Sequence, residues 1–223
     1  MKHRNSTQSI LLVLTIAMSA MGIAQERPRN IWEQQYHDRS AVEMAAQFES
    51  PSRPVYRYRM EIVGLLDLKP GMSVAEIGAG SGFLSRIIAG QVSSSGKVVA
   101  TELDEKMVTY MNERARAERL SNFTAIPGQL TSTGLERVSM DVIVIVNTYS
   151  FFDRPDEMLR SVAKALKPGG LLLIVDFPRA GRGANAEGVN AEDVIASVAK
   201  FGLKKIAESS VISEHYAIKF RKR

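Results

Sequence analysis

The chain has 223 residues, 45% of them hydrophobic and 7% aromatic, which is enough to bury one substantial core of ordinary α/β type. Its formal charge is +5, but most of the basic residues are interleaved with acids, which indicates a mixed solvated surface and no nucleic-acid partner. The sequence has no cysteine, which excludes disulfides, thiolate metal ligands and cysteine nucleophiles.

The first residues predict a targeting segment. Lys2 and Arg4 precede a charge-free apolar run over 10–24 that ends in small residues. This pattern predicts a signal peptide over residues 1–24, cleaved before Gln25, and therefore export to the periplasm or beyond. The run is shorter than the roughly 20 residues of a permanent bilayer span, so no stable span is expected after cleavage. An uncleaved membrane anchor is the alternative.

Residues 25–68 are expected to form a helical lead-in or lid to the main domain, which occupies residues 69–223. The apolar spacing over 42–48 suits a short helix that Pro51 and Pro54 end. A second helix is predicted over 56–66, before a Lys-Pro-Gly turn.

Beyond Met72, short runs rich in Val and Ile alternate with amphipathic segments, which is the βαβ rhythm of a mostly parallel sheet. Strands are predicted at 73–77, 97–102, 122–126, 140–146, 170–176, 204–210 and 215–221, and helices near 81–91, 104–119, 153–166 and 190–201. The runs within 140–146 and 170–176 are continuously apolar, as central strands covered on both faces should be.

A glycine loop follows the first predicted strand. Gly78, Gly80 and Gly82 alternate with other residues, so the backbone can turn with positive φ and bring its N–H groups against a ligand. The pattern indicates a nucleotide-type cofactor site. A dinucleotide fingerprint places its third glycine one residue later, which weakens the nicotinamide or flavin interpretation.

The second predicted strand ends in a carboxylate, Glu102, 20 residues beyond Gly82. In an open parallel sheet, ligands bind beyond the carboxyl ends of the strands, where strand order reverses. A carboxylate there can accept two hydrogen bonds from a ribose diol, so we expect Glu102 to bind a ribose. Asp104 is the competitor, but it is better placed as the N-cap of the next helix.

From about Leu68 to Phe220 the chain resembles the class I S-adenosylmethionine-dependent methyltransferases. The resemblance rests on the order of four features: the glycine loop with the strand before it, the Glu102 strand, Met140-Asp141-Val142-Ile143, and the Lys167-Pro168-Gly169-Gly170 turn before an apolar strand. It implies S-adenosylmethionine as the cofactor and a Rossmann-like, doubly wound α/β sheet. That sheet would have seven strands, mostly parallel with an antiparallel last strand, and helices on both faces.

The same resemblance implies roles for individual residues. Gly78, Gly80 and Gly82 would back the methionine part of the cofactor. Glu76 would contact the cofactor's amino group, directly or through water, or else bind the loop's own amides. Leu103 would cover one face of the adenine. Many relatives have an acid after the glycine of Gly128-Gln129, and Gln129 would accept a hydrogen bond from the adenine amino group without charge.

The segment after the fourth strand stands where this family presents groups to the methyl and the acceptor. Asn147 could align the cofactor or acceptor through its amide, and Tyr149 could supply a wall or a hydrogen bond, so both are the catalytic candidates. Phe151 and Phe152 are expected to pack in the core, and Asp153 to cap the next helix. Because the histidines are few and scattered, no metal site is expected.

The leading interpretation is methyl transfer from S-adenosylmethionine to a small-molecule or lipid-like acceptor. An exported ligand-binding or scaffold protein with an inactive methyltransferase fold is the second, because the methyl donor is made in the cytoplasm and its supply outside is uncertain. A nicotinamide-dependent oxidoreductase is the third. The pattern identifies neither the acceptor nor the oligomeric state.

Overall fold

Within the residues that the structure describes, seven strands form one sheet. The computed structural model describes residues 38–180 and 188–223; the predicted signal peptide, residues 1–24, lies outside them. The strands are β1 Ser73–Ile77, β2 Lys97–Glu102, β3 Phe123–Pro127, β4 Met140–Val146, β5 Leu166–Asp176, β6 Leu203–Ser209 and β7 Tyr216–Lys222. Their order in the sheet is β3-β2-β1-β4-β5-β7-β6. The first five are parallel, and β7 runs antiparallel to both β5 and β6. The predicted fold class is confirmed.

The helices are α1 Ala41–Phe48, α2 Pro54–Arg57, α3 Arg59–Gly64, α4 Phe83–Gln91, α5 Glu105–Ala117, α6 Pro155–Ala165 and α7 Ala191–Ala199. Helices α3, α4 and α5 pack on one face of the sheet, and α6 and α7 pack on the other. The two faces explain the apolar runs, because successive residues of β4 and β5 enter opposite cores and both positions must be apolar. Within the described segments, no helix has both the length and the apolar character of a membrane crossing.

The lead-in differs from the prediction in one place. The helix expected over 56–66 is two short helices, α2 and α3, separated at Tyr58, whose φ of −95° and ψ of 23° interrupt the helical path. Pro54 begins α2 at its first position, where a proline costs no hydrogen bond. Ile62 and Val63 of α3 pack into the core beside α4, so this part of the lead-in belongs to the body of the domain.

Strand order reverses around β1, which pairs with β2 on one side and with β4 on the other. Their carboxyl ends therefore meet at one edge of the sheet, and the loops that follow them lie side by side. Gly78 N and Ala79 N both donate to Thr101 O of β2, which fixes the glycine loop against this edge. The fold thus brings the loop, the end of β2 and the end of β4 to one place.

Candidate active site

The glycine loop has the left-handed conformation that its sequence predicts. Gly78, Gly80 and Gly82 have φ values of 70°, 56° and 69°, a region that other residues enter at a cost. Gly82 is the N-cap of α4, and a Cβ on Gly78 would lie 2.6 Å from Thr148 Oγ1. The loop therefore needs glycine both for its conformation and for its close approach to the segment after β4.

Glu102 ends β2 and is almost fully buried beside the glycine loop. Its Oε2 accepts a hydrogen bond from Gly80 N at 2.8 Å, and its Oε1 accepts one from Leu103 N at 2.6 Å. Burial raises the pKa of the Glu102 carboxyl above its usual value, and the backbone hydrogen bonds oppose that rise. Asp104 caps α5 by accepting from Lys106 N at 2.8 Å, as the sequence predicts. The carboxylate at this edge is thus Glu102.

A cavity of about 310 Å³ opens at the edge where the three strand ends meet. This volume is at the lower end of the range for small-molecule sites. The side chains and loops that line it include Phe48, Arg53, Gly78, Gly80, Glu102, Leu103, Gly128, Gln129, Leu130, Asn147, Thr148, Phe151, Phe152, Asp153, Met158 and Phe177. The lining therefore combines the glycine loop and the Glu102 carboxylate with several phenylalanine rings.

The structure brings most of the predicted site residues to this cavity. The predicted residues that line it are Gly78, Gly80, Glu102, Leu103, Gln129 and Asn147. Three others, Glu76, Gly82 and Tyr149, are not among its lining residues. Gly82 supports the loop from behind as the N-cap of α4.

Glu76 faces the start of α4. Its Oε2 accepts a hydrogen bond from Ser85 N at 3.0 Å and a short one from Ser85 Oγ. A carboxylate there satisfies an amide of the first helical turn and meets the positive end of the helix dipole. Burial raises the pKa of the Glu76 carboxyl to about 7. Its expected contact with the cofactor's amino group stays a prediction, and the placement seen is a supporting one behind the loop.

Asn147 leaves β4 with a φ of 47°, which is unusual for a residue other than glycine. Its N–H donates to Val175 O at 2.8 Å, which holds this turn against β5. The side-chain Oδ1 is buried and has no hydrogen-bond partner within the described residues. Because an unpaired buried acceptor costs free energy, Asn147 is suited to receive an N–H group from a bound molecule.

The turn after β4 is also fixed by Asp176 at the end of β5. This buried carboxylate accepts from Ser150 N at 3.1 Å, from Ser150 Oγ at 3.2 Å and from Phe177 N at 2.9 Å. Burial raises the pKa of Asp176, and these hydrogen bonds oppose the rise. Asp176 therefore holds two parts of the cavity wall, the turn over 147–152 and Phe177, in a fixed relation.

Tyr149 is directed away from the cavity into the opposite core. It is 4% exposed, and its ring packs edge-on against Phe152 with 5.7 Å between the ring centroids. Burial raises the pKa of the phenol. Neither a cavity wall nor a hydrogen bond to the acceptor comes from this side chain in the present arrangement.

Three residues that the sequence assigns to packing and capping line the cavity instead. Phe151 and Phe152 both face it, and Phe151 remains 38% exposed. Asp153 is not the N-cap of α6, since Arg154 occupies that position. Pro155 is the reason, because it takes the first helical position and shifts the cap one residue along. The apolar acceptor side of the cavity was therefore missed.

Helix α1 covers the glycine loop. Phe48, its last residue, lies so close that a Cβ on Gly80 would be 3.1 Å from the ring. Met44 and Ala45 anchor α1 against Met107 of α5. The Arg53 guanidinium stacks over the Phe48 ring at 5.2 Å and donates to Phe48 O at 2.9 Å. The lid expected from the sequence thus contributes an aromatic wall and a cation, and the apolar spacing over 42–48 was its signal.

These residues fit S-adenosylmethionine. The glycine loop lets the backbone approach a ligand closely, the Glu102 carboxylate can accept from a ribose, and the Asn147 Oδ1 is an acceptor that lacks a partner within the described residues. Leu103, Gln129 and Leu130 also line the cavity, and the hydrogen bond from Gly128 N to Glu102 O at 2.7 Å brings the segment before Gln129 beside the end of β2, where an adenine would follow the ribose. These residues match the donor and acceptor groups that such a cofactor presents.

Comparison with known proteins agrees with this geometry. Residues 74–170, somewhat less than half of the chain, match the family model described as a methyltransferase domain. The Legionella pneumophila (strain Corby) protein named ubiquinone/menaquinone biosynthesis C-methyltransferase UbiE is 29% identical over 122 residues, which are 54% of this chain and 48% of that protein. The chain therefore matches about half the length of this curated relative.

Solved structures share the fold across more of the chain. A methyltransferase from Aquifex aeolicus, described as S-adenosylmethionine dependent, superposes with a TM-score of 0.71 at 21% identity, over 83% of this chain and all of its own. The [4+2]-cyclase SpnF superposes with a TM-score of 0.66 at 15% identity, over 74% of this chain and 80% of its own. The second likeness shows that the fold alone does not establish the reaction.

Proposed function

We propose that the protein transfers a methyl group from S-adenosylmethionine to an apolar small-molecule acceptor, because residues 74–170 match the family model of a methyltransferase domain and the cavity fits this cofactor. One observation carries the proposal. One cavity is lined by the glycine loop and Glu102, by several phenylalanine rings, and by Asn147, whose Oδ1 has no hydrogen-bond partner among the described residues.

The residues around the glycine loop and Glu102 bind and orient the cofactor. Glu102 accepts from the ribose hydroxyls, and Leu103 and Gln129 contact the adenine. The backbone of Gly78 and Gly80 would lie against the methionine part, and the Asn147 Oδ1 would accept from its amino group. When bound, the cofactor supplies a methyl group on a sulfonium, which is transferred by in-line displacement. The contribution of these residues is therefore alignment of the donor, which accounts for a large share of the rate in such reactions.

The acceptor side excludes water. Phe48, Phe151, Phe152 and Phe177 supply apolar lining, and Met158 lies among the same residues. Positive charge disperses during methyl transfer from a sulfonium, so a site with few competing water dipoles favours the transfer. An acceptor that loses a proton on methylation also needs a base, and Asp153 is the carboxylate of this wall. The lining therefore suits an acceptor with a flat or aliphatic apolar body.

Calorimetry with S-adenosylhomocysteine tests cofactor binding directly. The wild-type protein should bind it saturably. Asn147→Gly keeps the left-handed backbone and removes the amide, so we expect about tenfold weaker binding with unchanged folding stability. Gly90→Ala on α4, where no atom lies within 4 Å of the new Cβ, is the matched control and should bind as the wild type does. Failure of the wild type to bind would refute the proposal.

Acceptor turnover separates this proposal from an inactive scaffold with the same fold. Several relatives are named ubiquinone/menaquinone biosynthesis C-methyltransferases, so phenolic and quinol rings with aliphatic tails are the first acceptors to screen. Methylated product, detected by mass spectrometry and lost in Asn147→Gly, would support the enzyme. Saturable cofactor binding without turnover in a broad screen would support the scaffold. A nicotinamide oxidoreductase would instead bind a dinucleotide in the same calorimetry.

We also propose export of the mature chain to the periplasm or beyond. The support is the charge pattern and apolar run of residues 1–24. A C-terminal reporter that is active only outside the cytoplasm should give a signal, and deletion of residues 1–24 should abolish it. A reporter signal confined to the cytoplasm would overturn the proposal.

A further inference from the structure

Arg86 on α4 stands at a junction between three separate segments. Its Nη1 donates to Ser81 O of the glycine loop at 2.9 Å. Its Nη2 donates to Glu49 Oε1 at 3.1 Å, and its Nε lies 3.3 Å from Glu118 Oε2. Glu49 is the C-cap of the lid helix α1, and Glu118 is the C-cap of α5. One guanidinium therefore joins the lid, the loop and α5.

The geometry of this junction depends on arginine. Each of the three contacts uses a different nitrogen of the planar guanidinium, which presents its donors in fixed directions. A lysine ammonium at the same position carries the same charge but offers a single nitrogen. The Arg86 side chain is only 11% exposed, so its contacts are shielded from solvent more than those of a surface ion pair.

The two carboxylates are not equivalent. Glu49 has a side-chain exposure of 19%, and Arg86 is its ion-pair partner. Glu118 is 36% exposed and also binds Arg114 at 2.7 Å, so it shares its charge between two arginines. The ion pair between Arg86 and Glu49 is therefore stronger than the ion pair between Arg86 and Glu118.

Glu49 directly follows Phe48, whose ring covers Gly80. A link at Glu49 therefore fixes the end of α1 that closes the cavity, and the same guanidinium fixes the carbonyl next to Gly80 and Gly82. Arg86 does not line the cavity within the described residues. It can act on bound ligand only through the lid and the loop.

We propose that Arg86 is a positioning residue that holds the α1 lid against the glycine loop and so retains the cofactor. The part that concerns the cofactor rests on the proposed function. Exchange of the cofactor requires the Phe48 end of α1 to lift, and the Glu49 to Arg86 link opposes this opening. Loss of the link raises the dissociation rate of the cofactor more than it changes the association rate.

Three variants of the full chain test the link. Glu49→Ala removes the ion pair between Arg86 and the lid helix α1. Arg86→Lys keeps the positive charge but loses the planar guanidinium with its three nitrogens. Glu118→Ala removes the ion pair between Arg86 and α5 and is the matched control. Stopped-flow binding of S-adenosylhomocysteine should show about tenfold faster dissociation in the first two variants and a change of less than about twofold in the third. Thermal unfolding establishes that each variant is folded.

Hydrogen exchange without ligand gives a second readout that needs no cofactor. The amides of α1 should exchange about tenfold faster in Glu49→Ala than in the wild type, while those of β4 stay the same. Equal α1 exchange and equal dissociation in Glu49→Ala and the wild type would overturn the inference. If the wild type binds no S-adenosylhomocysteine, the proposed function fails, and the exchange comparison still decides whether the link holds the lid.

Discussion

Gly78→Ala tests whether the glycine loop is required by its geometry. The new methyl would stand 2.6 Å from Thr148 Oγ1 and 3.0 Å from Thr148 Cβ, at a residue whose φ is 70°. The left-handed conformation costs about 1–2 kcal/mol for a residue with a Cβ. Overpacking against Thr148 adds about 1–3 kcal/mol. We therefore expect the free energy of unfolding to fall by about 2–5 kcal/mol, with loss of cofactor binding.

The two costs can be separated by a double-mutant cycle with Thr148→Ala, measured by urea denaturation. Thr148→Ala alone loses a hydroxyl that donates to Gly78 O at 3.2 Å and to Val146 O at 3.0 Å, at a cost of about 1 kcal/mol. In the double variant the clash is largely relieved, so the coupling energy should be about 1–3 kcal/mol in the stabilising direction.

A matched substitution shows what alanine does where the chain has room. Gly90→Ala lies within α4 with no atom near the new Cβ, so it should stabilise the protein by about 0.5–1 kcal/mol. A free energy of unfolding for Gly78→Ala that lies within about 0.5 kcal/mol of the wild-type value would refute this prediction. So would a double variant in which Thr148→Ala recovers none of the lost stability.

Three further predictions concern single side chains. Because burial raises the Glu76 pKa from 4.5 to about 7, the folded protein binds a proton that the unfolded chain has lost between these values, and stability falls as pH rises through them. The free energy of unfolding of Glu76→Gln, measured by urea denaturation, should therefore rise relative to that of the wild type by up to about 3 kcal/mol between about pH 5 and about pH 8. A difference between the two proteins that does not change with pH would contradict this. Glu102→Gln should weaken S-adenosylhomocysteine binding about tenfold in calorimetry. An unchanged affinity would show that Glu102 does not bind the ribose. Tyr149→Phe should leave that affinity unchanged, because the Tyr149 ring packs in the core and does not line the cavity; weaker binding would show that Tyr149 contacts the ligand.

The sheet could be predicted from the sequence because its signals are local. All strands but β5 match their expected range to within one residue, since apolar runs such as 140–146 are bounded by turn residues and are too short for helices. The strand expected at 170–176 begins at Leu166, because the segment predicted as a turn already pairs with Met140 of β4. The break at Tyr58 was missed because nothing in the apolar spacing over 56–66 marks it. Propensity reports the average tendency of a segment, whereas one residue decides where a helix bends.

The cofactor side of the site was more predictable than the acceptor side. The glycine loop and Glu102 follow directly from two strands, so their positions are fixed by the sheet. Phe151, Phe152 and Asp153 lie in a turn, and whether such side chains enter the core or a cavity depends on how β5 holds that turn through Asp176. Arg86 gave no signal, because a single arginine on a helix is ordinarily a solvated residue.

The position of β7 has a consequence for how the protein is assembled. This strand comes after β6 along the chain but lies between β5 and β6 in the sheet. During synthesis, β6 therefore emerges before the strand that it must pair with, and it has no place in the sheet until residues 216–222 follow. In a sheet built in sequence order β6 could pair with β5 as soon as it emerged, whereas here the backbone hydrogen-bonding groups of β6 stay without a strand partner until β7 follows.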